Sequence, residues 1–109
     1  MTLDWPEIIH RCFDEDRVLY SGHARREMQE EEFGPIMDQE VYEAICRGEV
    51  IESYPDDTPY PSVLIFGMTD ASRPLHVVCA YDKGDDRVVA VTVYQPDPER
   101  WEDNRRREK

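Results

Sequence analysis

The sequence predicts an α+β fold, with N-terminal helices packed on one face of a roughly four-stranded antiparallel β-meander. Two observations carry this. Apolar residues recur at helical spacing as far as Cys46 and then at a period of two from Glu49 to Tyr94. Helical and extended segments also follow one another as separate blocks, which distinguishes α+β from an alternating α/β chain. A length of 109 residues suits one domain. Residues 1–98 are expected to form it, with 99–109 as a charged tail or short helix anchored by Trp101.

The first helix runs from Asp4 to about Glu15, because Trp5, Ile8, Ile9, Cys12 and Phe13 fall on one stripe. Asp4 suits its N-cap, Glu7 the capping-box position, and Pro6 is tolerated in a first turn. Val18-Leu19-Tyr20 reads as a short extended link. Ser21 caps a second helix that runs to about Phe33, with Ala24 and Met28 inward, and Gly34-Pro35 stops it. Asp38 caps a third, with Met37 and Tyr42 as a hydrophobic staple, Val41, Ile45 and Cys46 inward, and Gly48 just past its end. Strands follow at 49–54, 62–68, 75–81 and 87–94. The last two form a hairpin across the short Gly84-containing connection. In the third strand Leu75, Val77, Cys79 and Tyr81 share one face and His76, Val78 and Ala80 the other. Both faces are apolar while the helices can cover one, so the second is expected to be exposed or covered by a partner.

Composition narrows the function classes. Against 13 Lys and Arg stand 25 Asp and Glu, a net charge of −12, which argues against general affinity for nucleic acid or membrane surfaces. The longest apolar run, Val63–Met68, is far too short to span a bilayer, and the acidic N-terminus has no apolar signal region. Cys12, Cys46 and Cys79 form neither a disulfide framework nor a zinc ligand set and read as small core residues of a reduced, cytoplasmic protein. His10, His23 and His76 lack metal-ligand spacing, and no cofactor motif appears. The charge is uneven: residues 99–109 carry +1 and include Arg105-Arg106-Arg107, the chain's one basic cluster, while residues 1–98 carry −13. If RNA touches this protein, that tail is where phosphate would be met.

His76 lies mid-strand beside Arg73, Tyr94 lies at a strand end, and His23 and Arg26 lie on the first turn of the second helix. Histidine with arginine can move a proton and hold a phosphate while a ribose 2′-hydroxyl attacks phosphorus. The ordinary role of a mid-strand histidine is a structural hydrogen bond, and that reading stands beside the chemical one. Acidic stretches such as Glu30-Glu31-Glu32 fan around a helix rather than converge, so they read as solvated.

Three runs together are more specific: Tyr54-Pro55-Asp56-Asp57-x-Pro59-Tyr60-Pro61-Ser62, Arg73-Pro74-Leu75-His76-Val77-Val78, and Val91-Thr92-Val93-Tyr94-x-Pro96-Asp97-Pro98-x-x-Trp101. They resemble domain-of-unknown-function family 4258, whose middle section Ser21-Gly22-His23-Ala24, Met28 and the stretch 40–51 also resemble. That family is similar to the RelE/BrnT-like toxins of type II toxin–antitoxin systems, small α+β domains that cleave RNA. The resemblance implies a RelE-like fold and a metal-independent endoribonuclease. His76, His23 and Tyr94 would be its catalytic set, Arg73, Arg26, Arg105 and Arg106 would bind substrate, and a small zinc-finger protein of antitoxin type would be the partner. One position departs: where relatives read His-x-x-x-Arg-Met, this chain has Glu27. That departure motivates a second reading, a non-catalytic module of the same fold that pairs with an antitoxin-like protein or with a second copy as a homodimer.

Overall fold

Helix α1 (Trp5–Asp14) starts where expected: Asp4 Oδ1 accepts the Glu7 N–H at 3.3 Å, and Ile8, Ile9 and Cys12 turn inward. This computed structural model describes residues 3–99, 101–102 and 106–107, with side chains through 99 and at 101. After α1 the chain reverses at Asp16, whose φ of 58° is left-handed, and enters β1 (Val18–Tyr20). With β2 (Glu49–Tyr54), β3 (Ser62–Met68), β4 (Pro74–Asp82) and β5 (Arg87–Tyr94) it makes one sheet in the order β1-β5-β4-β3-β2. β1 runs parallel to β5, and the other neighbours are antiparallel. The sheet is therefore five-stranded and mixed, not a four-stranded antiparallel meander. Three residues are too few for alternation to register. What makes 18–20 a strand is long-range: Arg17 O accepts the Val88 N–H at 2.9 Å, and the Ser21 N–H donates to Ala90 O at 3.0 Å.

Helix α2 (Gly22–Glu30) is capped by Ser21 Oγ, which accepts the Ala24 N–H at 3.0 Å. It ends three residues before Phe33, because the next residue, Glu31, turns to bond Gln95 instead. Helix α3 (Asp38–Cys46) is capped at Met37 rather than Asp38, with Glu40 Oε1 accepting the Met37 N–H at 3.0 Å. Met37 is 63% exposed and forms no staple, and the Tyr42 hydroxyl reaches Asp14 at 2.8 Å. Cys46 is exposed, unlike the buried Cys12 and Cys79, because at 3.6 residues per turn it falls off the stripe of Val41, Ala44 and Ile45.

The helices bury Ile9, Cys12, Met28, Val41 and Ile45 against Val63, Ile65, Leu75, Val77, Cys79, Val88 and Val93. α3 approaches β3 so closely that a Cβ on Gly67 would stand 1.9 Å from Ala44 O. The second face of the sheet is also covered, and by the chain itself. Leu64, Phe66, His76 and Ala80 are buried there beside Pro96 and Trp101. Trp101 opens β6 (Trp101–Glu102), which pairs antiparallel with β7 (Arg106–Arg107), so within the expected tail or short helix these described residues form a small strand pair. An indole needs apolar cover, and the apolar second face supplies it.

At the far end α1 is tied to the β4–β5 hairpin. Arg11 donates to both Asp86 oxygens at 2.6 and 2.9 Å and to Glu7 at 2.9 Å, and the Tyr81 hydroxyl donates to Asp86 Oδ1 at 2.7 Å. These donors hold the Asp86 carboxyl down at about 2. Among the described residues no helix is long and apolar enough to cross a membrane.

Two measurements check this packing. Gly67→Ala should destabilise by about 1–3 kcal/mol in denaturant unfolding, as overpacking against backbone does. Gly22→Ala, where a Cβ meets nothing within 4 Å, should be neutral or slightly stabilising. Because the folded Asp86 value lies below its ordinary one, its stabilisation is complete above pH about 4 and lost as the pH falls towards about 2. Asp86→Asn should therefore lower stability at neutral pH and flatten the acid limb of a Tm-against-pH curve.

Candidate functional site

Of the residues expected to carry chemistry, His76, Tyr94, Arg73 and His23 lie around the C-terminal end of β5, but on different sides of the sheet. A bulge in β5 decides which. Cys79 pairs with Ala90 while Val78 pairs with Thr92, so Val91 is extra and the alternation of β5 is reversed beyond it. Val93 consequently turns into the helix-side core, and Tyr94 comes opposite His76 on the other face.

His76 is 0% exposed. Its Nδ1 lies 3.1 Å from the Tyr94 hydroxyl, and its ring meets Trp101 edge-on at 4.3 Å between centroids, with Phe66 at 6.0 Å. The structure thus brings His76 and Tyr94 together, inside an aromatic box closed by Trp101. Three of that box's members lie far apart in sequence, and the tryptophan was legible only as an anchor.

Arg73, at the turn into β4, is bonded through its whole guanidinium. Nε donates to Gln95 Oε1 at 2.7 Å; Nη1 donates to Pro35 O at 3.0 Å and Glu40 Oε2 at 3.2 Å; Nη2 donates to Gly34 O. It fastens the α2–α3 connection and the start of α3 to the end of β5. A charge bonded on every nitrogen to protein acceptors holds a fold together well and has little left for a phosphate.

His23 stands exposed on α2, on the helix side, with Nε2 3.3 Å from Glu27 Oε1. The sheet separates it from His76. Arg26 is exposed on the same helix. Arg105 lies outside the described residues, as does the side chain of Arg106. The other arginine of that helix, Arg25, lies over the Tyr20 ring at 4.1 Å and pairs with Asp38.

Glu27 is the residue whose role sequence reasoning missed. β1 accompanies β5 only as far as Ala90, so the backbone of 91–95 lacks a neighbouring strand on that side. Side chains of α2 take its place. Ser21 Oγ donates to Val91 O at 2.9 Å, Glu27 Oε1 accepts the Val93 N–H at 3.0 Å, and Glu31 Oε1 accepts the Gln95 N–H at 2.6 Å. Two carboxylates at i, i+4 thus meet alternate amides of a strand edge. Burial pushes the Glu27 carboxyl above its ordinary range, against the lowering from the Val93 N–H and from His23. The available signal was that i, i+4 spacing on a helix leading out of an edge strand. Among the described residues no group of three His, Cys, Asp or Glu could hold a metal ion.

A family model described as domain of unknown function (DUF4258) matches residues 20–95, from the end of β1 to the residue after β5. No curated protein and no solved structure matches the chain. The likeness to RelE/BrnT toxins expected from the sequence finds no support in these comparisons.

Removing the Glu27 acceptor strands a buried amide. Glu27→Ala should cost about 1–3 kcal/mol in denaturant unfolding, whereas Glu27→Gln, which keeps an oxygen in place, should cost less than half of that.

Proposed function

From the premise that the chain belongs to the DUF4258 family, we propose that it is a non-catalytic protein-binding module acting in the cytoplasm, paired with a partner of antitoxin type. The observation that carries this reading is the internal use of the groups RNA cleavage would need. His76 is buried against Tyr94 and Trp101, Arg73 has protein acceptors on every nitrogen, and His23 faces Glu27 across the sheet from His76. An acid–base pair acts only within hydrogen-bond reach of its substrate, and a histidine with no exposed surface has none. The net charge of −12 adds to this, since it repels phosphate and suits a basic protein partner.

The endoribonuclease reading keeps one observation in its favour. His76 and Tyr94 are in contact, and the β6–β7 pair opened by Trp101 contains two of the three clustered arginines. The two readings separate in one assay. Purified protein is incubated with mRNA, with and without ribosomes, and its expression is scored for growth, beside Tyr94→Phe and His76→Ala. The module reading expects intact RNA and unaffected growth throughout. It expects Tyr94→Phe to lose about 1 kcal/mol of stability and His76→Ala about 2–4 kcal/mol, as a lost hydrogen bond and an emptied core site do. RNA cleavage by wild type that Tyr94→Phe abolishes without unfolding the protein would establish the enzyme instead.

A further inference from the structure

The sheet order begins with β1, and among the described strands β1 has a single neighbour, β5. Arg17 O and the Ser21 N–H both turn to β5, and main-chain groups alternate in direction along a strand. Those of Val18 and Tyr20 therefore point away from the sheet, and no described group bonds them. Beside this edge on the helix side lies an open groove of about 330 Å³, whose lining includes Phe13, Asp16, Val18, Tyr20, Arg25 and Asp38. Val18 and Tyr20 pack on the helix-side core, so Leu19 turns to the other face, where it is 48% exposed. Charge is divided between the two ends of the strand. Asp14, Glu15 and Asp16 are exposed at the C-terminal end of α1, where the helix dipole disfavours acid. Arg25 and Arg26 are exposed near the N-terminal end of α2, which has no acid in its first turn and where the dipole disfavours a base. Asp38 meets Arg25, the Tyr42 hydroxyl meets Asp14, and Arg17 meets Glu15, while Asp16 and Arg26 form no ion pair among the described residues.

We propose that β1 is the interface of a two-fold dimer of this chain, in which β1 of one copy pairs antiparallel with β1 of a second and the two sheets become continuous. The inference goes beyond the protein-binding reading and does not rest on it. The edge is self-complementary, as a two-fold interface requires. Its outward main-chain groups lie one residue to either side of Leu19, so an axis at Leu19 sets Val18 opposite Tyr20 of the second copy, and Tyr20 opposite its Val18. Each opposed pair exchanges two hydrogen bonds. The two Leu19 side chains meet on the outer face in a non-hydrogen-bonded pair, where side chains approach most closely, and cover one another. The same axis matches the charges. It brings the acidic end of α1 in each copy to the basic, N-terminal end of α2 in the other, so each helix end gains the sign of charge that its own dipole favours. A parallel pairing would set acid beside acid. The net charge of −12 on each copy opposes association, but it is screened beyond about 8 Å at physiological salt, and the contacts at the edge decide. An edge of three residues makes a small interface, so the dimer is weak and forms at high concentration.

The test uses the whole chain, labelled with nitrogen-15, in sedimentation and NMR dilution series from millimolar to micromolar concentration. The expected result is a dimer that dissociates on dilution, with the Val18 and Tyr20 amides shifting as it does. Leu19→Arg sets two like charges on the axis and should leave a monomer throughout; the position is half exposed, so the variant should fold. Arg26→Glu, at an exposed helix position, should weaken the dimer by about threefold to tenfold, as reversing one exposed ion pair does. A crosslink tests the register. In a Cys46→Ser background, which removes the exposed thiol, Leu19→Cys treated with oxidised glutathione should give a disulfide-linked dimer, since the Cα separation of such a pair lies in the disulfide range. Val50→Cys, at the exposed opposite edge of the sheet, should crosslink far more slowly. Three results would overturn the interface: a monomer at every concentration, a dimer that Leu19→Arg leaves intact, or crosslinking through Val50→Cys as fast as through Leu19→Cys. None of them bears on RNA cleavage, which the separate mRNA and growth assay decides, so the two failures are distinguishable.

Discussion

The fold depends on closing one strand edge. β5 is central to the sheet only as far as Ala90, where β1 ends, and the next five residues would otherwise leave backbone groups unpaired beside a packed core. A buried amide without an acceptor costs about 1–3 kcal/mol, so several together would threaten a domain of this size. Ser21, Glu27 and Glu31 remove that penalty by placing three side-chain oxygens where a sixth strand would have put carbonyls and amides. This fixes the direction of α2 along the strand. It also fixes Gln95, whose side-chain oxygen anchors Arg73 and through it the 34–40 connection.

Seen from that edge, the polar residues that by type suggest catalysis have structural tasks. Arg73 gathers the ends of three elements, and Glu27 completes a ladder. His76 supplies the polar centre of the aromatic contact between the sheet and the Trp101 segment. They concentrate near one end of β5, and fold-closing polar groups and active-site groups are both drawn to places where regular pairing stops. The other end of the sheet has the opposite character. There an open cleft lined by Trp5, Ile9, Ile45, Val50 and Ile65 borders β2.

Legibility in the sequence followed the range of the interactions. The bounds of β2, β3 and β5 were readable because the period-two pattern and the Pro- and Gly-rich turns between them are local. β1 was not, because its pairing to Val88–Ala90 is decided seventy residues away by a three-residue segment without a pattern. Cys46 was misread as inward because it adjoins Ile45, although helical spacing puts it off the stripe of Val41, Ala44 and Ile45. The contact between His76 and Tyr94 is a matter of hairpin register, which a turn can suggest, but the Val91 bulge that brings the tyrosine to the histidine's face left no sequence signal. Arg73 was legible as a cation and not as a fastener, since two of its acceptors are backbone carbonyls more than thirty residues away. The second sheet face was expected to be exposed or covered by a partner, because the tail's one tryptophan gives no hint of where it lands.

The most direct test of this account is amide hydrogen exchange at Val93 and Gln95 by NMR. If α2 serves as the missing strand, both amides exchange at least about 100-fold more slowly than unstructured peptide at neutral pH. In Glu27→Ala the Val93 amide then speeds up selectively while Val77, deep in β4, stays protected. Exchange of Val93 and Gln95 at unprotected rates in the wild-type protein would contradict the claim that these carboxylates close the sheet.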